Sequence, residues 1–433
     1  MGKSPLWSAL FIALLSVGYP VGAEQPLPEE PVALPPAVEQ GVDMVYVDPE
    51  IAVDIRWRNT KLDSVSFARY AGAPLDLIQA INPLYTELRR GLVQYQKQWG
   101  SLPQFSIPAG PALTIGDQGD RVTLLRERLG LVPGKRFDEG LRTRVAAYQH
   151  VHGLKQDGTA GNEVIASLNL GAEHYERVLM INMERARRLP APGELKRHVI
   201  VDTGSARVMM YEHDRLVGSM RAAVGAKDTQ TPMMAALIRY ADVNPYWNVP
   251  ESLAIKLIAP RVLEQGVTYL TDRKDDVFAD WSPTAVPLDP TTIDWQAVKE
   301  GKLILHIRQG PGGGNSMGKI KFMMPNIFGI YLHDTPDKTV FDTDQRWVSN
   351  GCIRLQDARR LATWLFGEMP KASDPNTEER VDLRDPVPVF VTYLTAEAMA
   401  GDVLFRADPY GRDPAVLARY FVEERQLAPE NSN

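Results

Sequence analysis

Residues 329–355 read GIYLHDTPDKTVFDTDQRWVSNGCIRL, and the path of the chain through them decides what kind of domain must surround them. An apolar strand ends at His333 and a polar loop follows. The chain then returns through Ser349, Asn350, Gly351 and Cys352, and Ile353, Arg354 and Leu355 lead on towards a helix. Side chains alternate along a strand, so Tyr331 and His333 share a face and both can look into a cleft. Gly351 permits a tight backbone approach just ahead of the thiol. Backbone N–H groups at such a turn can point at an anion forming on a substrate carbonyl. A neighbouring imidazole can hold the thiol as thiolate, the attacking species. Cys352 is the only cysteine in 433 residues, so an internal disulfide is impossible. An inert core cysteine is the bland alternative; the flanking residues argue for a nucleophile.

Outward from this stretch the apolar pattern is strand-like from about residue 175 onwards. Strands are expected at 197–202, 207–211 and 217–224, with His213-Asp214 at a hairpin turn, and again at 302–309, 319–324, 329–333 and 387–394. One helix interrupts them at 357–366, with Asp357 as its N-cap. Residues 251–300 lack regular alternation and read as an insertion able to cover a cleft. The catalytic unit is thus expected over 175–395, followed by a helical, peripheral tail at 396–433. Upstream, 111–172 carries three short helix faces: Val122, Leu125 and Leu129, then Val145 and Tyr148, then Val164, Ile165 and Leu168. Gly153 and Asp157-Gly158 punctuate the last two. Residues 45–110 suggest a helical scaffold, with short helices at 64–70 and 74–80. A longer one spans 83–99, capped by Asn82 and opened by Pro83. The fold class is therefore α+β.

The N-terminus sets the expected compartment. Lys3, the apolar run 6–17 and the small residues Val21-Gly22-Ala23 form an export signal over 1–23, and a tether rich in proline and glutamate follows at 24–44. The apolar run is short for a spanning helix. The expectation is an exported, periplasmic protein with no stable membrane span once the signal is removed. A formal net charge of −6 offers no electrostatic reason for a nucleic-acid partner.

Two resemblances now enter. The G-x-x-G-x-x-V-x-x-L start at Gly116, the run ending at Gln149 and G-L-x-x-D-G-x-x-G from Gly153 resemble the peptidoglycan-binding domain family. His333, separated from Ser349 by fifteen intervening residues, and the Gly351-Cys352-Ile353-Arg354 run resemble the YkuD-type L,D-transpeptidase signature. Further matches at 181–185, 230–232, 244–250, 308–309, 315 and 318–322 are similar to its large periplasmic branch. Asn350 stands where that signature has a second histidine, so it can donate hydrogen bonds but not share proton transfer. The resemblance implies that Cys352 attacks a peptidoglycan stem peptide with His333 as base, and that the N–H groups of Gly351 and Cys352 form an oxyanion hole. It implies that Arg354 binds a substrate carboxylate, with a structural ion pair as the alternative role. Ser349, Asn350, Tyr331 and Trp247 would line the substrate, although Trp247 and Tyr246 also suit core packing. The carbonyl of Asp334, rather than its carboxylate, would orient His333. Peptidoglycan is the implied partner and carbapenem-type β-lactams the implied inhibitors.

The decoys fall away on chemistry. Residues 313–319, GGNSMGK, nearly spell a phosphate loop, but Ile320 stands where Ser or Thr should follow. No histidine spacing suits zinc, so no metal or cofactor is expected. His150, His152, His174, His198 and His213 read as structural or solvated, and His306 is open between lid and cleft. Two rivals to cross-linking remain: a Cys–His L,D-carboxypeptidase or amidase that passes the thioester to water, and a non-catalytic peptidoglycan-binding envelope protein.

Overall fold

Asn82 opens the first helix among the described residues, as the sequence predicts for 83–99. Its side chain accepts from the Tyr85 N–H at 2.9 Å, and Pro83 takes the first turn where no N–H is missed. The computed structural model describes residues 45–46 and 82–421, apart from 283, 375 and 401. The expected export signal, tether and helices at 64–70 and 74–80 lie outside the described residues, as does the end of the tail. Helix α1 is Pro83–Tyr95, continued by one wider turn, Gln96–Gly100. Then come α2 (Asp120–Arg128), α3 (Glu139–Val151) and α4 (Asn162–Leu170), whose apolar faces meet through Leu125, Val145 and Leu168. Helix α5, Ala172–Ala186, leads into the sheet.

His152 sits where the three-helix unit joins its neighbours. It is buried, its Nδ1 lies 2.8 Å from the Tyr148 carbonyl and its Nε2 lies 3.0 Å from the Tyr95 hydroxyl. Burial pushes its pKa down to about 3. A neutral ring therefore donates through Nδ1 and accepts at Nε2, a structural role.

The strands are β1 (Val45–Tyr46), β2 (Arg197–Asp202), β3 (Arg207–Glu212), β4 (Arg215–Gly225), β5 (Met234–Val243), β6 (Trp247–Val249), β7 (Asp275–Phe278) and β8 (His306–Gln309). They continue as β9 (Ile320–Met323), β10 (Leu332–His333), β11 (Trp347–Ser349), β12 (Ile353–Leu355), β13 (Glu379–Thr392), β14 (Ala396–Met399) and β15 (Asp402–Phe405). The main sheet runs β1-β5-β13-β2-β3-β4-β12-β10-β9, and β9 returns to pair with β5, so the strands from β5 to β9 close into a ring. Closure removes the exposed edges of that ring. The interior holds Val199, Val208, Ala236, Phe322, Ile353 and Val389. Two left-handed residues, His213 (φ 45°) and Asp214 (φ 62°), make the expected β3–β4 hairpin turn. Helix α10 (Ala358–Phe366) begins at Asp357, whose carboxylate accepts from the Arg360 N–H at 2.9 Å, and buries Leu361 and Leu365 in this core.

Three expectations need correction. Strand β5 has no counterpart in the sequence reading, because it is buried along most of its length and so shows no alternation. The strand expected at 302–309 shortens to β8, which joins β6 and β7 in a separate sheet, β6-β8-β7. That sheet and helices α6 (Glu251–Leu253), α7 (Ala259–Gln265), α8 (Thr268–Arg273) and α9 (Trp295–Lys299) share their own core, including Ile258, Trp295 and Ile307. Last, the tail is neither wholly helical nor peripheral. It starts with the β14–β15 hairpin, packed so closely on α1 that a Cβ on Gly91 would lie 2.7 Å from the Ala398 Cβ. Helix α11, Asp413–Tyr420, follows. Buried Arg185 pairs with Asp413 at 2.8 Å, and the Asn182 side chain accepts from the Thr395 N–H at 2.7 Å. The 181–185 segment therefore clamps the tail.

Candidate active site

Register explains how the two predicted reactive groups meet. Strands β10 and β12 are parallel, with Leu332 opposite Ile353 and His333 opposite Arg354. Leu332 and Ile353 point into the ring's core. Alternation then sends Tyr331 and His333, with Cys352 and Arg354, to the other face. All four line one cleft of about 310 Å³, together with Ser349, Asn350 and Trp247, a volume suited to a small ligand. The lid core reaches the same place: Met317, Tyr331 and half-buried Cys352 pack against it.

Hydrogen bonds from three segments shape the nucleophile turn. Gly351 has φ 113°, a region that L-residues rarely adopt. Its carbonyl accepts from Thr231 Oγ1 at 2.7 Å, and Thr231 Oγ1 in turn accepts from the Gly225 N–H at 2.9 Å. The Ser349 carbonyl accepts from Thr229 Oγ1 at 2.9 Å and from the Ala226 N–H at 2.8 Å. The tail's Tyr410 hydroxyl donates to the Gly225 carbonyl at 2.9 Å, so residues far along the chain brace the turn. Thr231 lay in a matched segment, but nothing local to it signalled this contact 120 residues away.

One expected donor is otherwise engaged. The Gly351 N–H points at Ser349 Oγ (3.2 Å), and that hydroxyl donates to the Cys352 carbonyl (2.6 Å). Ser349 is buried and acts inside the turn, which corrects the expectation of a Gly351 donor open to substrate.

His333 is buried, and its Nδ1–H donates to the Asp334 carbonyl at 2.5 Å. The Asp334 carboxylate faces elsewhere, accepting from the Lys319 N–H at 3.0 Å and from Lys338 Nζ at 2.7 Å. Holding Nδ1 as donor leaves Nε2 as the basic nitrogen. Burial, reinforced by the Arg354 charge, pushes the His333 pKa down to about 3. The Arg354 guanidinium is itself shifted down by burial, opposed by the charges of Cys352 and Asp337.

The other candidates divide. Trp247 is 8% exposed, so it is mainly lid core with one edge on the cleft. Tyr246 lies under the Arg308 guanidinium (4.8 Å) and does not line the cleft. His306 lies tilted against Trp281, centroids 4.9 Å apart, also off the cleft. Arg273, at the end of α8, does line it; no motif marks it in the sequence. Among the described residues no group of three or more His, Cys, Asp or Glu could hold a metal ion.

The turn gives a direct test. Alanine at Gly351 must adopt φ 113° and would place its Cβ 3.0 Å from Ile330 Cδ1. Such strain is worth about 1–3 kcal/mol. Gly351→Ala is therefore expected to slow Cys352 acylation by roughly ten- to a hundredfold, measured as the rate of carbapenem adduct formation by mass spectrometry.

Residues 196–389 match the YkuD family model, an L,D-transpeptidase catalytic domain. Residues 119–168 match a second family, described as "Putative peptidoglycan binding domain". A Haemophilus influenzae protein described as "Putative L,D-transpeptidase" is 29% identical over 244 residues, covering 54% of this chain and 48% of the relative. The chain thus spans about half the length of the curated relative it matches. Solved structures similar to this chain include an L,D-transpeptidase from Mycobacterium smegmatis (14% identity, 45% of this chain, 58% of that chain, TM-score 0.22). Another is L,D-transpeptidase 3 from Mycobacterium tuberculosis (13%, 45%, 60%, 0.24). No helix among the described residues is long and apolar enough to cross a membrane.

Proposed function

We propose that this protein is a peptidoglycan L,D-transpeptidase that joins stem peptides through a Cys352 thioester. The observation that carries this reading is the β10–β12 pairing, which sends His333 and Cys352 to one cleft inside a YkuD domain. Cys352 Sγ attacks the carbonyl of an L-centre diamino acid, and neutral His333 takes the thiol proton as the C–S bond forms. The Cys352 N–H stabilises the oxyanion. Collapse breaks the peptide bond to the terminal D-alanine, and His333 returns the proton to the departing amine. An amine from a second stem then attacks the thioester, His333 accepts its proton, and the thiol is restored as the new peptide bond forms.

Several features support the wider setting. Residues 119–168 would hold the enzyme on its polymer, and the lid core over Cys352 would shield the thioester from water. Arg354 would pair with a substrate carboxylate, and Asn350, Tyr331 and Trp247 would line the stem. The export signal read at 1–23 would place the enzyme in the periplasm, and its thiol would be acylated by carbapenem-type β-lactams. Mass spectrometry of products from purified tetrapeptide muropeptides tests the reading. New covalent dimers with loss of D-alanine are expected. Trimmed monomers alone would assign the thioester to water and a carboxypeptidase; unchanged muropeptides would leave a binding protein.

A further inference from the structure

The cleft has a second arginine that neither the catalytic motif nor the strand register accounts for. Arg273 ends α8 in the lid, and the next residue, Lys274, takes the left-handed conformation that stops the helix (φ 59°). The arginine is held from behind on three sides. Its Nε donates to Asp275 Oδ2 at 2.7 Å, and the Asp275 side chain is fully buried. Its carbonyl accepts from buried Gln309 Nε2 at 3.1 Å. Its guanidinium lies 5.8 Å from the Trp247 ring centre and 5.4 Å from that of Tyr269. What remains is the outer edge of the fork. Nη2 is buried without a hydrogen-bond partner beside an equally unpartnered Asp275 Oδ1, whereas Nη1 is not buried and donates to no protein group among the described residues.

A buried guanidinium N–H left unpaired is costly, and such groups are few in folded proteins. Here the group lines the cleft that also holds Arg354, Cys352 and His333. Arg354 comes from the floor, on β12, and Arg273 comes from the lid. The two planar cations therefore address a ligand from different elements. A fork whose Nε is already fixed by a carboxylate retains terminal N–H groups for a second planar anion.

We propose that Arg273 binds a carboxylate of the acyl-donor peptide, so that the lid selects a stem with a free acid group beyond the one Arg354 receives. This rests on the cleft being a stem-peptide site, as proposed above. The selected ligand class is a peptide with at least two free carboxylates. An amidated side-chain or α-carboxyl group would leave the Arg273 fork facing a neutral amide, which can accept through its oxygen but supplies no charge. Arg273 is then a substrate-binding residue that also draws the lid onto the bound peptide.

The test uses binding, so that it does not depend on turnover. Two synthetic tetrapeptide stems, one with free internal carboxylates and one with those groups amidated, are titrated calorimetrically into the full chain carrying Cys352→Ala. The acid peptide is expected to bind about ten- to a hundredfold tighter than its amide. Arg273→Gln in the same background should erase that preference by weakening only the acid peptide. Arg273→Lys should restore it in part, since it keeps charge without the fork. Because Arg273→Gln leaves Asp275 buried beside a neutral group, Arg273→Gln with Asp275→Asn is measured in parallel as a neutral, hydrogen-bonded pair. Equal affinity for the two peptides in the parent, or equal loss for both in the arginine variants, overturns the proposal. Wild-type turnover of the acid peptide is scored separately: dimers formed with no Arg273 dependence in binding would sink this inference and leave the transpeptidase reading standing. Selective binding without any product would do the reverse.

Discussion

Cys352→Ala is expected to reduce cross-link formation to background, a loss of at least about 10⁴-fold, and to abolish the carbapenem adduct altogether. The thiol is the only side chain at this position able to form the thioester, and no other cysteine exists to substitute for it. Cys352→Ser should be nearly as poor, because a hydroxyl beside a histidine held neutral is a far weaker nucleophile than a thiol. Folding should be little affected. Cys352 is half-buried, and its Sγ donates a weak hydrogen bond to the Gly329 carbonyl at 3.7 Å. Thermal unfolding of the alanine variant should therefore stay within a few degrees of wild type. Intact-protein mass spectrometry after carbapenem exposure reads the chemical effect, and muropeptide dimers read the biological one. A variant that still forms dimers would place the nucleophile elsewhere and end the thioester mechanism.

The legible parts of this protein were those in which a short segment states its own chemistry. Asn82-Pro83, Asp357 and His213-Asp214 each act through neighbours within four residues, and the structure places caps and turn where those residues predict them. His333 and Cys352 were legible as a pair because strand alternation is local, even though their meeting depends on β10 and β12 lying side by side. The illegible parts depend on partners far away. Strand β5 lost its alternation because β13 and β9 lie beside it and both its faces are covered. The hairpin β14–β15 gains its burial from α1, more than 300 residues earlier. Thr231 braces Gly351 only because β4 carries Gly225 between them. Arg273 has a sequence neighbourhood like any amphipathic helix end, and only the folded lid brings it to the cleft. Ser349 shows a subtler failure. Its hydroxyl was read as facing substrate, whereas it caps the Gly351 N–H within the same turn, an outcome decided by one rotamer.

Replacing His333 tests the electrostatics that follow from its burial. His333→Gln is expected to lower the rate of Cys352 acylation by about 10²–10⁴-fold, the usual worth of a positioned base. The pH profile of the wild type carries more information. A histidine with an ordinary pKa near 6.5 loses its base form as pH falls through 6–7. Burial first, and Arg354 second, push His333 down to about 3, so the neutral base form persists to lower pH. The sign is fixed: a depressed pKa moves the acid limb of the acylation rate down, well below 6.5. Arg354→Gln removes the second cause but not the first. The limb should then move up in pH while remaining below 6.5, because burial is the larger cause. The limb's position, rather than the absolute rate, is the measurement to follow, since Arg354 also contributes to binding in the proposed mechanism. A wild-type limb at 6–7 would mean that His333 keeps an ordinary histidine pKa, and thus that its burial does not depress it in the working enzyme. An Arg354→Gln limb that fails to rise would remove the guanidinium from the control of His333 and leave burial acting alone.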